Sequence, residues 1–98
     1  MAMISELISL KGRRAMITGA TGGLGRVLAD TLAELGADLL LVDRPGSNFE
    51  PLANELAKRW AVAVHCEPCD LEISGPRADL VKKLSAGQEG LSVLINNA

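Results

Sequence analysis

The sequence predicts an α/β fold in which a doubly wound parallel sheet of about four strands is covered by about three helices. Two observations support this prediction. Short apolar segments alternate along the 98 residues with segments whose apolar side chains recur at helical spacing. The short segments are apolar at nearly every position, which is typical of parallel strands buried on both faces. The composition, 48% apolar and 22% charged, is that of a globular protein.

The first strand and helix are separated by a glycine-rich turn. The strand is predicted at residues 15–17, and residues 18–25, TGATGGLG, contain too much glycine for a helix or a strand. Gly36 is expected to end the following helix, because glycine adopts the left-handed conformation at low cost. The residues expected to form one continuous face of this helix are Leu24, Val27, Leu28, Thr31, Leu32 and Leu35.

The second strand and helix follow the same order. The strand is predicted at residues 39–42 and is followed by Asp43, and RPGSN is a turn sequence. Ser47 and Glu50 have the spacing of a capping box, which predicts a helix beginning at Ser47. The residues expected on the buried face of that helix are Leu52, Leu56 and Trp60.

Two further strands and one helix complete the pattern. The third strand is predicted at residues 61–66 and the fourth at residues 91–95. Between them a helix is expected to begin at Ser74 or Pro76. Its apolar residues are Leu80, Val81 and Leu84.

Three of the four glycines in the first turn predict a phosphate-binding site. Gly19 allows the chain to turn sharply away from the strand, and Gly23 leaves room for a pyrophosphate to approach the backbone. Gly25 allows the helix to pack closely against the strand. Backbone N–H groups and the positive end of the helix dipole then face the anion.

Asp43 is the expected ribose ligand. It stands eighteen residues after Gly25, close to the spacing of a carboxylate that accepts hydrogen bonds from both ribose hydroxyls. The same carboxylate would repel a 2′-phosphate, which favours NAD over NADP. Arg44 instead favours NADP, because a guanidinium is the group that a 2′-phosphate would bind. The alternative is that Asp43 and Arg44 are a solvated strand end.

Four segments in this order resemble the short-chain dehydrogenase/reductase family over about residues 10–98. TGATGGLG resembles the TGxxxGxG turn, VDR at 42–44 lies at the ribose position, CDL at 69–71 resembles the adenine-binding segment, and NNA at 96–98 resembles the start of NNAG. The resemblance implies that residues 1–98 are the N-terminal part of a dinucleotide-binding Rossmann domain. The cofactor contacts that it implies are Gly19, Thr21, Gly23, Leu24, Gly25, Asp43, Arg44, Asp70, Leu71, Asn97 and Ala98.

The resemblance also implies an oxidoreductase that transfers hydride between a nicotinamide cofactor and a carbonyl or alcohol substrate. Its proton-transferring residue is a tyrosine in a YxxxK motif, and this chain contains no tyrosine. We therefore expect the chain to carry the cofactor-binding half, no catalytic residue, and no activity alone. Family members are commonly oligomeric, so a homo-oligomer is expected.

Two alternatives remain open. Because Gly22 and Gly23 are both glycine, the turn also fits TGxxGxxG, the form used by extended epimerases and dehydratases. NNA favours the compact branch instead, and Gly22 replaces the basic residue that often marks NADP enzymes. The second alternative is a nucleotide-binding or interaction module without chemistry.

Other functional classes are disfavoured. The net charge is −2, and no basic stripe carries interleaved aromatic residues, so nucleic acid is not an expected partner. No apolar run has the length of a membrane span and no signal peptide is expected, which favours the cytoplasm. HCEPCD, at 65–70, offers two thiols and one imidazole where structural zinc sites use four ligands, so no metal is expected.

Overall fold

The protein is described by a computed structural model over residues 9–86 and 93–96, with strands and helices in strict alternation. In chain order the elements are β1 (Arg14–Thr18), α1 (Gly23–Glu34), β2 (Asp38–Asp43), α2 (Glu50–Trp60), β3 (Val64–Pro68), α3 (Ser74–Ala86) and β4 (Val93–Asn96). None of the helices in these two ranges has the length and apolar character needed to cross a membrane.

The four strands form one parallel sheet in the order β3-β2-β1-β4. Ile17 of β1 pairs with Leu41 of β2 on one side and with Ile95 of β4 on the other. The chain therefore moves outward from β1 to β3 and then returns to the opposite side of β1. In such sheets ligands bind beyond the carboxyl ends of the strands, where the strand order reverses. The predicted α/β class is confirmed.

Successive residues of the central strands enter two separate apolar clusters, which explains why the strands lack a polar face. The larger cluster joins the sheet to α1 and α2 and includes Ile17, Leu41 and Leu56. The smaller cluster lies on the other face and contains Met16, Leu40, Val42, Cys69 and Leu80, the last contributed by α3.

The predicted face of α1 is wrong. Leu24 and Val27 are 61% and 60% exposed, and the buried residues of the helix are Gly25, Ala29 and Ala33. These three recur every four residues, so they form a small-residue stripe that allows the helix backbone to lie close to the sheet. Of the predicted face, Leu32 is half-buried against the larger cluster. The helical periodicity is as predicted, but the buried face is not. The prediction assigns the larger leucine and valine side chains to the core, whereas the structure places the glycine and alanine residues there.

The end of α1 is confirmed at Gly36. Its φ is +99°, in the left-handed region, and its N–H donates to the Ala33 carbonyl at 2.9 Å. The Ala37 N–H donates to the Leu32 carbonyl at 3.1 Å. Together these two bonds form a Schellman motif.

The predicted capping box of α2 is wrong. The N-cap is Phe49, with no side-chain cap bond, and Glu50 is the first helical residue. Pro51 lies in the first turn, where its fixed φ suits a helix and its missing N–H costs nothing. Phe49 is buried in the larger cluster, so its packing fixes the helix start in place of a hydroxyl cap.

The third strand begins three residues later than predicted. Ala61 is the left-handed C-cap of α2, with φ of 56°, and its N–H donates to the Ala57 carbonyl at 3.0 Å. The strand begins at Val64 and ends at Pro68. The third helix begins at Ser74, as one of the two predicted starts, and the fourth strand extends to Asn96. Residues 91 and 92 of the predicted fourth strand lie outside the described residues.

Candidate nucleotide site

A crevice lies at the carboxyl edge of the sheet, beyond the ends of β1, β2 and β3. Its volume is about 460 Å³, within the range of roughly 300–1,000 Å³ found for small-molecule sites. Its lining combines the glycine turn, the end of β2 with the turn after it, and the loop after β3. The lining residues are Gly19, Thr21, Gly22, Val42, Asp43, Arg44, Ser47, Cys69, Asp70, Leu71 and Glu72.

The glycine turn carries the chain from β1 into α1. Gly19 has φ of 65°, which a residue with a side chain adopts only at a cost, and the Gly22 N–H donates to the Gly19 carbonyl at 3.2 Å. Gly22 is the N-cap of α1, without a side-chain cap, and the first turn contains no acidic residue. The positive end of the helix dipole is therefore not neutralised by a cap or by an acid in that turn, which favours an anion there.

The glycines at 23 and 25 have different roles. A Cβ at Gly25 would lie 2.3 Å from the Gly19 carbonyl oxygen and 2.9 Å from the Ala20 Cα, so this glycine is required by packing. Among the residues that the structure describes, a Cβ at Gly23 would have no neighbour within 4 Å. Packing against the described residues does not explain the glycine at 23, whereas close approach of a ligand to the helix N-terminus would.

The Asp43 carboxylate connects the end of β2 to the glycine turn. Its Oδ2 accepts hydrogen bonds from the Thr21 N–H at 3.0 Å and the Thr21 hydroxyl at 2.6 Å. Its Oδ1 accepts one from the Arg44 N–H at 2.8 Å. Burial raises the pKa of Asp43, but the bonds from Thr21, Arg44 and the Ser47 hydroxyl outweigh it and lower this pKa below its ordinary value. Asp43 is therefore ionised at neutral pH.

The third wall of the crevice is the loop after β3. The Asp70 carboxylate accepts the Glu72 N–H at 3.0 Å, which closes a local turn. The Cys69 N–H donates to the Asp43 carbonyl at 2.8 Å and fixes this loop to the end of β2. Leu71 packs against the smaller apolar cluster and supplies an apolar surface to the crevice.

The structure brings six of the predicted cofactor residues together at the crevice: Gly19, Thr21, Asp43, Arg44, Asp70 and Leu71. Gly23, Leu24 and Gly25 are instead in the first turn of α1 and do not line the crevice. Asn97 and Ala98 lie outside the described residues. That these residues bind a cofactor stays a prediction.

Sequence reasoning missed Ser47 as a crevice residue. Residues 44–47 form a turn closed by a bond from the Ser47 N–H to the Arg44 carbonyl at 3.1 Å, with Gly46 at φ of 92°. Pro-Gly at the centre of four residues is the signature of a type II turn. That signature, read instead of the capping box, would have placed Ser47 next to Asp43.

The cysteines do not form part of a metal centre within the described ranges, where no three His, Cys, Asp or Glu residues are grouped to hold an ion. Cys66 and Cys69 are not joined by a disulfide bond. Burial, followed by the charge of Glu50, raises the pKa of the Cys66 thiol, so this cysteine is a poor nucleophile at neutral pH.

Solved structures share this architecture. A short-chain dehydrogenase from Sphingobium yanoikuyae in complex with NADPH is 34% identical with a TM-score of 0.79, covering 88% of this chain and 34% of that one. A metagenomic short-chain oxidoreductase in complex with NADP is 30% identical with a TM-score of 0.83, covering 91% of this chain and 40% of that one.

Curated relatives show the same coverage. The 3-oxoacyl-acyl-carrier-protein reductase of Aquifex aeolicus is 28% identical over 91 residues, which are 93% of this chain and 37% of that protein. The chain thus spans little more than a third of the length of that relative. The sequence profile of the short chain dehydrogenase family matches residues 13–98. The chain belongs to the short-chain dehydrogenase family.

Proposed function

We propose that this chain is the nucleotide-binding part of an NAD-dependent oxidoreductase of the short-chain dehydrogenase type. The observation that carries the proposal is the crevice in which the glycine turn and the Asp43 carboxylate face the same space. The turn lies at a helix N-terminus, which favours a diphosphate, and the carboxylate is suited to a sugar diol.

The residues present fit a dinucleotide. The uncapped start of α1 offers backbone N–H groups to the pyrophosphate, and the open space at Gly23 allows it to approach. On the far side of the crevice, Leu71 supplies an apolar contact for the adenine ring, and Asp70 supplies an acceptor for its amino group. Each part of the adenosine diphosphate half therefore has a matching group.

The choice between NAD and NADP depends on Asp43 and Arg44. An ionised carboxylate fixed at the ribose position favours NAD, because a 2′-phosphate placed there would meet a like charge. The exposed Arg44 side chain and the NADPH or NADP bound to two similar proteins support NADP. We propose NAD because the Asp43 carboxylate is held by both strand and turn, whereas the Arg44 side chain is exposed.

When bound, the nicotinamide cofactor would supply the hydride acceptor or donor for a carbonyl or alcohol substrate. The residues of this chain would bind the adenosine half and orient the cofactor. The chain contains no tyrosine, so the family's proton-transferring residue is absent from these 98 residues. We infer that they are inactive alone, and that the protein acts in the cytoplasm as a homo-oligomer.

Calorimetric titration with NAD and with NADP tests this proposal. We expect the wild-type protein to bind NAD at least about tenfold more tightly, a difference of about 1.4 kcal/mol. Asp43→Ala should weaken NAD binding by roughly 10- to 150-fold, because it removes hydrogen bonds to a charged acceptor worth about 1.5–3 kcal/mol. Asp79→Ala, the same change at an exposed position of α3, is the control and should alter neither affinity.

Tighter binding of NADP by the wild-type protein would contradict the proposed cofactor. An unchanged preference in Asp43→Ala would contradict the proposed role of the carboxylate. Absence of binding by either dinucleotide to correctly folded protein would contradict the proposed function as a whole.

A further inference from the structure

Residues 70–73 form the turn that carries the predicted adenine contacts. The Ile73 N–H donates to the Asp70 carbonyl at 3.1 Å and closes the turn. The peptide group between Leu71 and Glu72 lies at its centre. This is the peptide group that reverses between type I and type II turns, because the two forms differ by roughly 150–170° in the dihedral angles on either side of it. The closing bond alone therefore does not fix its orientation.

Both ends of this central peptide group are bonded. Its N–H, that of Glu72, donates to Oδ1 of Asp70 at 3.0 Å. Its carbonyl, that of Leu71, accepts a hydrogen bond from Nη1 of Arg77 in α3 at 3.2 Å. Reversal of the peptide group would break both bonds, so the guanidinium and the carboxylate hold it in the same orientation.

Helix stability does not explain the position of Arg77. It lies in the first turn of α3, where the positive end of the helix dipole makes a cation unfavourable. Within residues 9–86 and 93–96, its guanidinium forms no ion pair that would offset this effect. Side chains of a helix point toward its amino end, which directs Arg77 back over the turn. The bond to the Leu71 carbonyl is the contact that accounts for an arginine here.

We propose that Arg77 is a positioning residue for the adenine of the dinucleotide. By holding the Leu71–Glu72 peptide group, it keeps the Glu72 N–H on Oδ1 of Asp70, and the second oxygen of that carboxylate is directed to the adenine amino group. Arg77 is not among the described residues that line the crevice, so it acts through Asp70 and Leu71, which do line it. The inference rests on the proposed function, because Asp70 and Leu71 are assigned there to adenine.

A charge effect and a positioning effect make different predictions for two dinucleotides. A cation near the site attracts any anionic dinucleotide, so loss of its charge would weaken all of them equally. Positioning of the Asp70 carboxylate matters only for a base that carries the amino group. Nicotinamide hypoxanthine dinucleotide separates the two effects, because an oxygen replaces the amino group of its base and the rest of the molecule is that of NAD.

The experiment measures binding of NAD and of nicotinamide hypoxanthine dinucleotide to the full chain by calorimetry. We expect wild type to prefer NAD by about tenfold, because the analogue presents an oxygen to the Asp70 carboxylate. Arg77→Ala should weaken NAD binding by roughly five- to tenfold and binding of the analogue by less than about twofold. Arg77→Lys, which keeps a charged donor, should retain most of the preference. Lys82→Ala, which removes a charge at an exposed position of α3, is the control and should leave the preference unchanged.

A double-mutant cycle tests whether Arg77 acts through Asp70. Asp70→Ala should remove the preference for NAD by itself, and the addition of Arg77→Ala should change the preference no further. Thermal melts show whether each variant is folded, and Arg77→Gln replaces Arg77→Ala if the alanine variant is not.

Three results would overturn this inference and leave the proposed function intact. They are an unchanged preference in Arg77→Ala, equal losses for the two dinucleotides, and a further change in preference when Arg77→Ala is added to Asp70→Ala. Equal binding of both dinucleotides by wild type would also overturn it, because the carboxylate would then not recognise the amino group. Failure of folded wild-type protein to bind NAD would overturn the proposed function, and the inference with it.

Discussion

Gly25→Ala tests how tightly the first helix must lie against the glycine turn. The added Cβ would be 2.3 Å from the Gly19 carbonyl oxygen, 2.9 Å from the Ala20 Cα and 3.0 Å from the Ala20 carbonyl oxygen. All three neighbours are backbone atoms, so no side-chain rotation relieves the contact. An ordinary contact begins near 3.4 Å, so the start of α1 must move away from the turn by about 1 Å.

The displacement lowers both stability and binding. Forcing an extra methyl group into packed surroundings costs about 1–3 kcal/mol, and at the upper half of this range the melting temperature of a 60–100-residue domain falls on the order of 10 °C. We expect the upper half, because the contact is with backbone on two residues. The N–H groups at the start of α1 also move relative to Asp43, so NAD binding should weaken in the variant that remains folded.

The assay is urea and thermal unfolding followed by circular dichroism, with Gly23→Ala as the matched control. An alanine at 23 meets nothing within 4 Å in the part of the chain that the structure describes, so we expect it to leave the unfolding free energy unchanged or slightly higher while weakening dinucleotide binding. Equal stability of Gly25→Ala and wild type would refute the argument that packing requires this glycine. A large loss of stability in Gly23→Ala would refute the distinction between the two positions.

Three further predictions concern charge, the phase of α1 and the contact between helices. Because the pKa of Asp43 is lowered in the folded protein, its stabilising contribution is complete above its unfolded pKa near 3.8 and is lost as pH falls through the folded pKa. The unfolding free energy of wild type minus that of Asp43→Asn should therefore be constant from about pH 7 to pH 5 and shrink at lower pH; a difference that grows on acidification would contradict the assigned direction. Val27→Ser should change the unfolding free energy by less than about 0.5 kcal/mol, whereas Ala29→Leu should lower it by about 1–3 kcal/mol. The reverse order of the two effects in urea titrations would show that the face of α1 expected from the sequence is the buried one. Trp60→Phe should cost about 1 kcal/mol by removing the 2.8 Å bond from the indole N–H to Asp30 that links α2 to α1, and thermal melts identical to those of wild type would show that this bond adds nothing.

The fold could be predicted from sequence because the strands here are unambiguous. Residues 39–42 are apolar at every position, and the structure buries them on both faces of the sheet. The end of α1 could also be predicted from the sequence, because a glycine at the C′ position satisfies a local backbone requirement. The predictions are thus correct for features that depend on a few adjacent residues.

Features that depend on a competition between several contacts could not be predicted from the sequence. The phase of α1 depends on how closely its backbone can approach the sheet, and this favours Gly25 and Ala29 over the more apolar Leu24. The start of α2 depends on burial of Phe49 in the larger apolar cluster. Most residues of that cluster are distant from Phe49 in sequence, so a capping pattern near Ser47 does not indicate this burial. For the site, motifs gave the positions of the acid and the glycines. The donors to this acid, at Thr21 and Arg44, could be identified only from the structure, where they converge on Asp43.

A crystal structure grown with NAD tests the central claim most directly. We predict that the diphosphate lies within hydrogen-bond distance of the backbone N–H groups at the start of α1. We also predict that a ribose hydroxyl donates to the Asp43 carboxylate. A dinucleotide bound in the groove between α1 and α2, beside Val27 and Leu52, or bound with its ribose away from Asp43, would contradict the account.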